Sequence, residues 1–303
     1  MNRVLVKIDD GLTLEAGTRH CRICRPDFRG AADAPGGRGR MRIAISVFFM
    51  LLSMAESVEA QRSDIRLGSW TVQELDDLLS NASSIQDAGQ RIEFLSSLFL
   101  GHAYKRSTLI GSRERAEVLV VNLEAVDCLT YLDYVEAMRR SASFKEFLAQ
   151  VAHVRYHGGN VRFEDRNHFF TDWKEFQGGY IEEVTERIGG ADTKTVVKRL
   201  NDRGNGQVYI PGLPFVTRHI SYIPSRVLDE IVVNRLRSGD YLGIYSPKKG
   251  LDVFHTGIVI KTDEGIYLRH ASASGRYRKV VDRDLRQYLL KKPGIIVFRA
   301  VEK

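Results

Sequence analysis

The hydrophobic period changes within residues 117–140. Val118, Leu119, Val120 and Val121 form a continuous apolar, largely β-branched run, which predicts a buried strand. Beyond it Cys128, Leu132, Val135 and Met138 recur at helical spacing, which predicts a helix starting near Asp127, a favoured N-cap. Upstream, Thr71 and Glu74 form a capping box that opens a helix over 72–79. Ile92, Leu95, Leu98 and Phe99 share one face of a second helix over 85–100, closed by Gly101. Downstream, Ser143 and Glu146 open a capped helix carrying Phe147, Leu148, Val151 and Val154. From Gly239 the period becomes two. Strands are predicted over 241–245, 255–261, 266–270, 278–281 and 295–301, with a tight hairpin at Asp263, Glu264 and Gly265 and a short helix over 283–290. Residues 201–226, which hold Pro211, Pro214 and Pro224, read as extended loop. Helices first and an antiparallel sheet afterwards is an α+β layout.

The N-terminal part has no such periodicity. Residues 1–40 alternate arginines with Gly, Ala and Pro. Cys21 and Cys24 form a C-x-x-C pair, but no second ligand pair follows at zinc-finger spacing and no βαβ context supports a redox motif. Met41 and Arg42 then precede an apolar run from Ile43 to Ala55, and Val58 and Ala60 sit at the minus-three and minus-one positions of a cleavage site before Gln61. This pattern predicts a secretory signal peptide over 41–60, with translation starting at Met41 and 1–40 a non-structural upstream segment. The run is short for a membrane span, so no stable span is expected after cleavage. The expected product is an exported, periplasmic or extracellular protein with one domain over 61–303.

Composition narrows the partners. The formal net charge is +7. Its basic residues are spread without a run, which argues against nucleic acid as a partner. Apolar content is ample for a core. Cys128 is the single cysteine of 61–303, so it has no intrachain disulfide partner.

That cysteine invites two readings. It is a small buried apolar residue, or it is a nucleophile whose thiolate the unpaired N–H groups and dipole of a helix N-terminus favour. A nucleophile needs a base and a group to hold the base. His255 begins one predicted strand and His270 ends its hairpin partner, so the two histidines should be neighbours. A metal site built from His157, His168, His255 and His270 is the weaker alternative, since no pair has i, i+4 spacing. No metal or other cofactor is expected.

Asp127-Cys128 at a helix start, Gly239-Asp240 before a strand, His255-Thr256-Gly257-Ile258 and His270-Ala271 resemble the NlpC-type cell-wall hydrolases, which are papain-like cysteine peptidases. Residues 100–104, 122–130, Arg155-Tyr156, 166–173 and His270-Ala271-Ser272 resemble more closely their N-acetylmuramoyl-L-alanine amidase-like branch. The resemblance implies a papain-like core of helices packed on an antiparallel sheet, and a cysteine hydrolase acting on peptidoglycan or muropeptides. It matches Cys128 to the nucleophile, His255 to the base, His270 to the orienting residue and Tyr104 to a tyrosine lining the site. By the same resemblance Arg166, His168, Asp172 and Trp173 line the substrate groove. Read from the residues alone, Trp173 packs in the core and Asp172 caps a turn equally well. Leu129-Thr130 stand where the wider superfamily has Ser-Gly, and Ala103 replaces a proline. Phe169, Phe170, Trp173, Tyr209, Phe215 and Tyr222 supply aromatic faces that suit a sugar ring, and Arg166 and Arg218 supply partners for a carboxylate, so the bond expected is the amide between N-acetylmuramic acid and L-alanine. The D-Glu to diamino acid bond and a non-catalytic envelope-binding module are the alternatives.

Overall fold

The structure is a computed structural model that describes residues 63–176 and 179–301. The predicted signal peptide and upstream segment lie outside the described residues. Strand β1 (Ser63–Arg66) leads to helices α1 (Val72–Ser83) and α2 (Ala88–Ser97). Strands β2 (Ala103–Tyr104), β3 (Ile110–Ser112), β4 (Arg115–Asn122) and β5 (Ala125–Val126) lead to helices α3 (Cys128–Arg139) and α4 (Phe144–Arg155). Helix α5 (Asp172–Phe176), strand β6 (Ile181–Glu183), helix α6 (Thr185–Gly189) and strands β7 (Lys194–Leu200), β8 (Asp202–Gly204), β9 (Gln207–Val208) and β10 (Val216–Pro224) follow. After helix α7 (Glu230–Asn234) come strands β11 (Tyr241–Tyr245), β12 (Val253–Thr262), β13 (Gly265–Ala271) and β14 (Val280–Asp284). Helix α8 (Leu285–Leu289) and strand β15 (Gly294–Ala300) complete the order.

The main sheet runs β14-β13-β12-β11-β15-β10-β7, with β6 also on β15, and every pairing in it is antiparallel. Alternation sorts its two faces. Tyr241, Ile258, Ile260, Ile296 and Phe298 join the core with α1 to α4. Leu242, Ile244, Val259, Leu268, Ile295 and Val297 pack with residues of α6, α7 and α8.

Helix α3 is buried along its length from Thr130 to Arg139. Its polar positions are therefore internally paired, as burial demands. Asp133 accepts from Arg155 of α4 at 2.9 Å, and Arg155 also donates to the Val120 carbonyl of β4. Glu136 accepts from Arg139, Arg140 and the Tyr241 hydroxyl, the last at 2.8 Å. These bonds tie α3 to α4, β4 and the sheet, so its N-terminus is held from three sides.

The main departure from the sequence reading is the expected loop over 201–226. It contains β10, a nine-residue strand that pairs with β7 from Val216↔Leu200 to Tyr222↔Lys194. Its prolines sit just before the strand and at its last residue, where no central ladder hydrogen bond is lost.

Candidate active site

The approach to Cys128 is built by side chains that cap backbone groups. Asn122 ends β4 and its side-chain Oδ1 accepts from the N–H groups of Glu124 at 3.0 Å and Ala125 at 3.3 Å. That turn delivers β5, which pairs in parallel with β2 so that Tyr104 lies opposite Val126. Asp127 is extended (φ −100°, ψ −178°), and its carboxylate accepts from the N–H groups of Leu129 at 3.1 Å and Thr130 at 2.9 Å. The Asp127 N–H in turn donates to the Thr130 hydroxyl oxygen at 3.0 Å, completing a capping box. Cys128 is thus the first residue of α3.

A thiolate is the form that a helix N-terminus favours, yet here burial acts the other way. Desolvation pushes the Cys128 thiol up to about 11, and the Asp127 carboxylate adds to the rise. The Thr256 side chain and N–H, with the Cys128 N–H itself, oppose this and lie against the sulfur. Thr256 also donates from its hydroxyl to the Cys128 carbonyl at 2.7 Å, which locks β12 to the start of α3.

The histidines meet through the hairpin. Asp263-Glu264 turns β12 into β13 in the register Thr262↔Gly265 to Ile258↔Arg269. Extending that register sets His270 opposite Gly257 and diagonal to His255. His255 Nε2 lies 2.6 Å from His270 Nδ1, with the rings nearly perpendicular at 88°. Gly257 is required beneath them. A Cβ there would stand 2.7 Å from Leu268 Cδ1 and 3.0 Å from His270 Cβ. The pairing of β11 with β12 skips Phe254 between Val253 and His255, a bulge that leaves Phe254 exposed and re-aims the strand at the site. Burial holds both imidazoles neutral. His255 falls to about 4, with repulsion from Lys292 adding to desolvation. His270 falls to about 3, where His255, Arg283 and Lys292 add to desolvation.

Two residues join this cluster that sequence reasoning missed. One is Thr256. The other is Tyr288 of α8, whose ring centroid lies 5.2 Å from His270 and 6.3 Å from His255 and whose hydroxyl feels the Cys128 sulfur. Thr256 sits inside a quoted motif, whereas nothing in the pattern of 283–290 singles out Tyr288. Tyr104 is half-buried beside the site. Its N–H donates to the Arg278 carbonyl at 2.9 Å, and the Arg278 guanidinium stands 5.8 Å over its ring.

The residues matched to the groove sit elsewhere in the bonding pattern. Arg166 gives its guanidinium to Glu117 of β4, which also accepts from the Tyr156 hydroxyl at 2.7 Å. His168 bonds the Phe163 carbonyl at 2.8 Å and is driven down to about 4 by burial. Asp172 is ion-paired with Arg218 at 2.6 Å and accepts from the Phe169 N–H at 2.9 Å. Trp173 is fully buried, edge-on to Tyr241 at 5.2 Å. These four side chains are committed to internal contacts, and the core alternative describes Asp172 and Trp173. Of the histidines weighed as metal ligands, His157 packs on Phe176 at 4.4 Å and His168 on Phe163, apart from the His255–His270 pair. Among the described residues no group of three His, Cys, Asp or Glu is arranged to hold a metal ion, and no helix is long and apolar enough to cross a membrane.

Comparison with known proteins adds the family. The model of the AmiA-like, N-acetylmuramoyl-L-alanine amidase-like family matches residues 94–295, which include Cys128, His255 and His270. The chain belongs to the N-acetylmuramoyl-L-alanine amidase-like family. No curated protein matches it. Solved structures share the fold. A Legionella pneumophila protein of the DUF1460 family superposes with a TM-score of 0.64 at 20% identity, covering 76% of this chain and 94% of that one. An N-acetylmuramoyl-L-alanine amidase from Bacteroides uniformis gives 0.58 at 25% identity, covering 71% and 99%. A putative xylanase from Bacteroides fragilis gives 0.55 at 24% identity, covering 68% and 99%.

Proposed function

We propose that this chain is a cysteine hydrolase of peptidoglycan fragments that cleaves the amide between N-acetylmuramic acid and L-alanine. The observation that carries the reading is the His255–His270 contact at 2.6 Å on the strand whose next residue, Thr256, is bonded to Cys128 at the start of α3. Family membership supplies the amide bond, and the amidase from Bacteroides uniformis supports the muramoyl substrate. A cysteine-bearing helix set against an antiparallel sheet that presents the histidines supports the reading as an NlpC-type, papain-like hydrolase. The signal-peptide pattern of 41–60 supports a site of action outside the cytoplasm.

The geometry supports the following steps. His255 donates its Nε2 proton to His270 Nδ1, which leaves its Nδ1 as an acceptor. With the thiol raised and the imidazole lowered, the pair rests uncharged. Proton transfer from Cys128 to His255 then accompanies attack of the sulfur on the amide carbonyl. Asp127 already occupies the N–H groups of Leu129 and Thr130, so the Cys128 N–H is the first-turn donor left to meet the developing oxyanion. His255 returns its proton to the leaving L-alanine amine, and water, activated by His255, hydrolyses the thioester to regenerate the thiol. Phe169, Phe170, Trp173 and Arg218 have no place in this scheme. The three rings are buried and Arg218 is held by Asp172.

The test is mass spectrometry of defined muropeptides incubated with residues 61–303. Free N-acetylmuramic acid plus intact stem peptide is expected, with no turnover by Cys128→Ala. Release of an L-Ala-D-Glu dipeptide still attached to the sugar would assign the endopeptidase reaction instead. Unimpaired turnover by Cys128→Ala would end the cysteine mechanism.

A further inference from the structure

Cations gather on aromatic rings around the cysteine and histidines. Arg283 stands 5.3 Å over Tyr288 and 5.6 Å over Tyr277. Lys292 stands 5.1 Å over Tyr288 and 5.3 Å over Phe254. Arg278 covers Tyr104, and Arg276 covers Tyr277 at 5.3 Å. These rings adjoin the chemistry. Tyr288 packs on both histidines, Phe254 precedes His255, and Tyr104 pairs with the strand that leads to Cys128. None of the four cations forms an ion pair with a carboxylate among the described residues. The acids closest to them in sequence are engaged: Asp282 holds Arg269 at 2.8 Å, and Asp284 caps α8 through the Gln287 N–H at 2.7 Å.

This arrangement is unusual on physical grounds. Exposed arginines and lysines need no partner, but Arg283 and Lys292 are half-buried and still lack a counter-ion. Their charges also reach the histidines, where they disfavour imidazolium. A site that holds uncompensated cations next to its own base is destabilised until an anion arrives. Rings beneath the guanidinium and ammonium groups fix their positions without neutralising them.

We infer that Arg283 and Lys292, with Arg278 at the far rim, form a cationic collar that selects substrates bearing a free carboxylate close to the scissile amide. The inference rests on the amidase reading and sharpens it. In an N-acetylmuramoyl-L-alanyl-D-glutamyl substrate, the group assigned to the collar is the α-carboxylate of the glutamate, two residues from the cleaved bond. The collar therefore distinguishes the free acid from its carboxamide. It also explains what Arg166 and Arg218 do not do, since both are neutralised internally.

The experiment has two arms. The first needs no substrate. The second-order rates of Cys128 alkylation by iodoacetate and by iodoacetamide are compared, each relative to free cysteine. Wild type should favour the anionic reagent, and raising the salt to about 0.5 M should reduce that preference several-fold, as screening requires. The double variant Arg283→Gln, Lys292→Gln should lose the preference, read as the ratio of the iodoacetate rate to the iodoacetamide rate, while still reacting with iodoacetamide, which shows that the site is still formed. A preference absent in wild type, or unchanged by salt and by both substitutions, overturns the collar. If the double variant fails to fold, the salt dependence of wild type still decides. The second arm compares kcat/KM for N-acetylmuramoyl-L-alanyl-D-glutamate and its D-isoglutamine counterpart. The acid should be favoured by roughly tenfold or more, the scale of one charge-assisted contact, and the double variant should erase the difference. Equal kcat/KM for the two in wild type overturns the substrate assignment. A salt-sensitive alkylation preference without cleavage of either compound would retain the collar and refute the amidase reading.

Discussion

Two polar clusters in this molecule look alike as residue inventories. One contains Cys128, His255, His270, Tyr104 and Tyr288. The other contains Arg166, His168, Asp172, Trp173 and Arg218. Both combine histidine, aromatic rings and other polar groups. Their bonding differs. In the second cluster each charge has an internal partner: Arg166 on Glu117, Asp172 on Arg218, with Thr171 between Arg218 and Asp252. In the first, the histidines bond only to each other, and His270 Nε2 is buried without a partner among the described residues. The nearby cations rest on rings. Residue types are therefore a poor guide to a site, and the state of pairing is a better one. A scaffold closes its polar groups on itself, whereas a site keeps some of them unanswered.

The most direct way to break this comparison uses two histidines of equal burial chemistry. His255 and His168 are each driven to about 4. His255→Ala should cost about 10²–10⁴-fold in kcat, the range for a lost general base, and leave the fold intact. His168→Ala should leave kcat unchanged. A comparable kcat loss in His168→Ala would move the second cluster into the chemistry.

Next in size is Arg218→Met. Asp172 is 7% exposed and would keep a buried, unpaired carboxylate. Stability should fall by about 3–5 kcal/mol in chemical denaturation, with kcat/KM per folded molecule unchanged. An unchanged denaturation midpoint with a raised KM would make Arg218 a substrate contact after all.

His270→Asn should have a milder effect. The asparagine carbonyl can still accept from His255 Nε2, so a loss of about 10–100-fold in kcat is expected, the usual scale for a residue that orients another. His270→Ala should lose more, and equality of the two variants would deny His270 an orienting part.

A separate effect is on acid stability, to which both clusters contribute. An unfolded histidine takes up its proton near 6.5, whereas His168 and His255 wait until about 4 and His270 until about 3. The unfolded chain thus binds more protons as pH falls from 6.5 to about 4, and stability must decline through that window. Urea midpoints at pH 7, 6 and 5 measure it. His168→Asn and His255→Asn should each flatten the slope, and a slope unchanged in both would contradict the burial argument.

Much of the fold was legible because local signals agreed with burial. Thr71, Asp127 and Ser143 cap the helices at the expected residues, and the strand over 241–245 falls as predicted. The His255–His270 approach followed from one hairpin of known period. Strand β10 was not legible, because its flanking prolines mark turns while its value as a strand comes from pairing with β7. Tyr288 was missed for a related reason. Its role depends on how α8 packs back over the histidines, which no local period encodes. The thiol illustrates a third limit. A helix terminus argues for a low pKa, but the depth of burial that overrides it is a tertiary quantity.

That raised thiol has a consequence beyond turnover. Peroxides and disulfides react with thiolates, and a group pushed up to about 11 exposes roughly one thiolate per ten thousand molecules at pH 7. Cys128 has no second cysteine in 61–303 to convert a sulfenic acid into a protective disulfide. In the proposed mechanism its defence is to stay protonated until a substrate brings the proton transfer to His255. In an oxidising surrounding, such an enzyme would age slowly while idle and become vulnerable chiefly during catalysis.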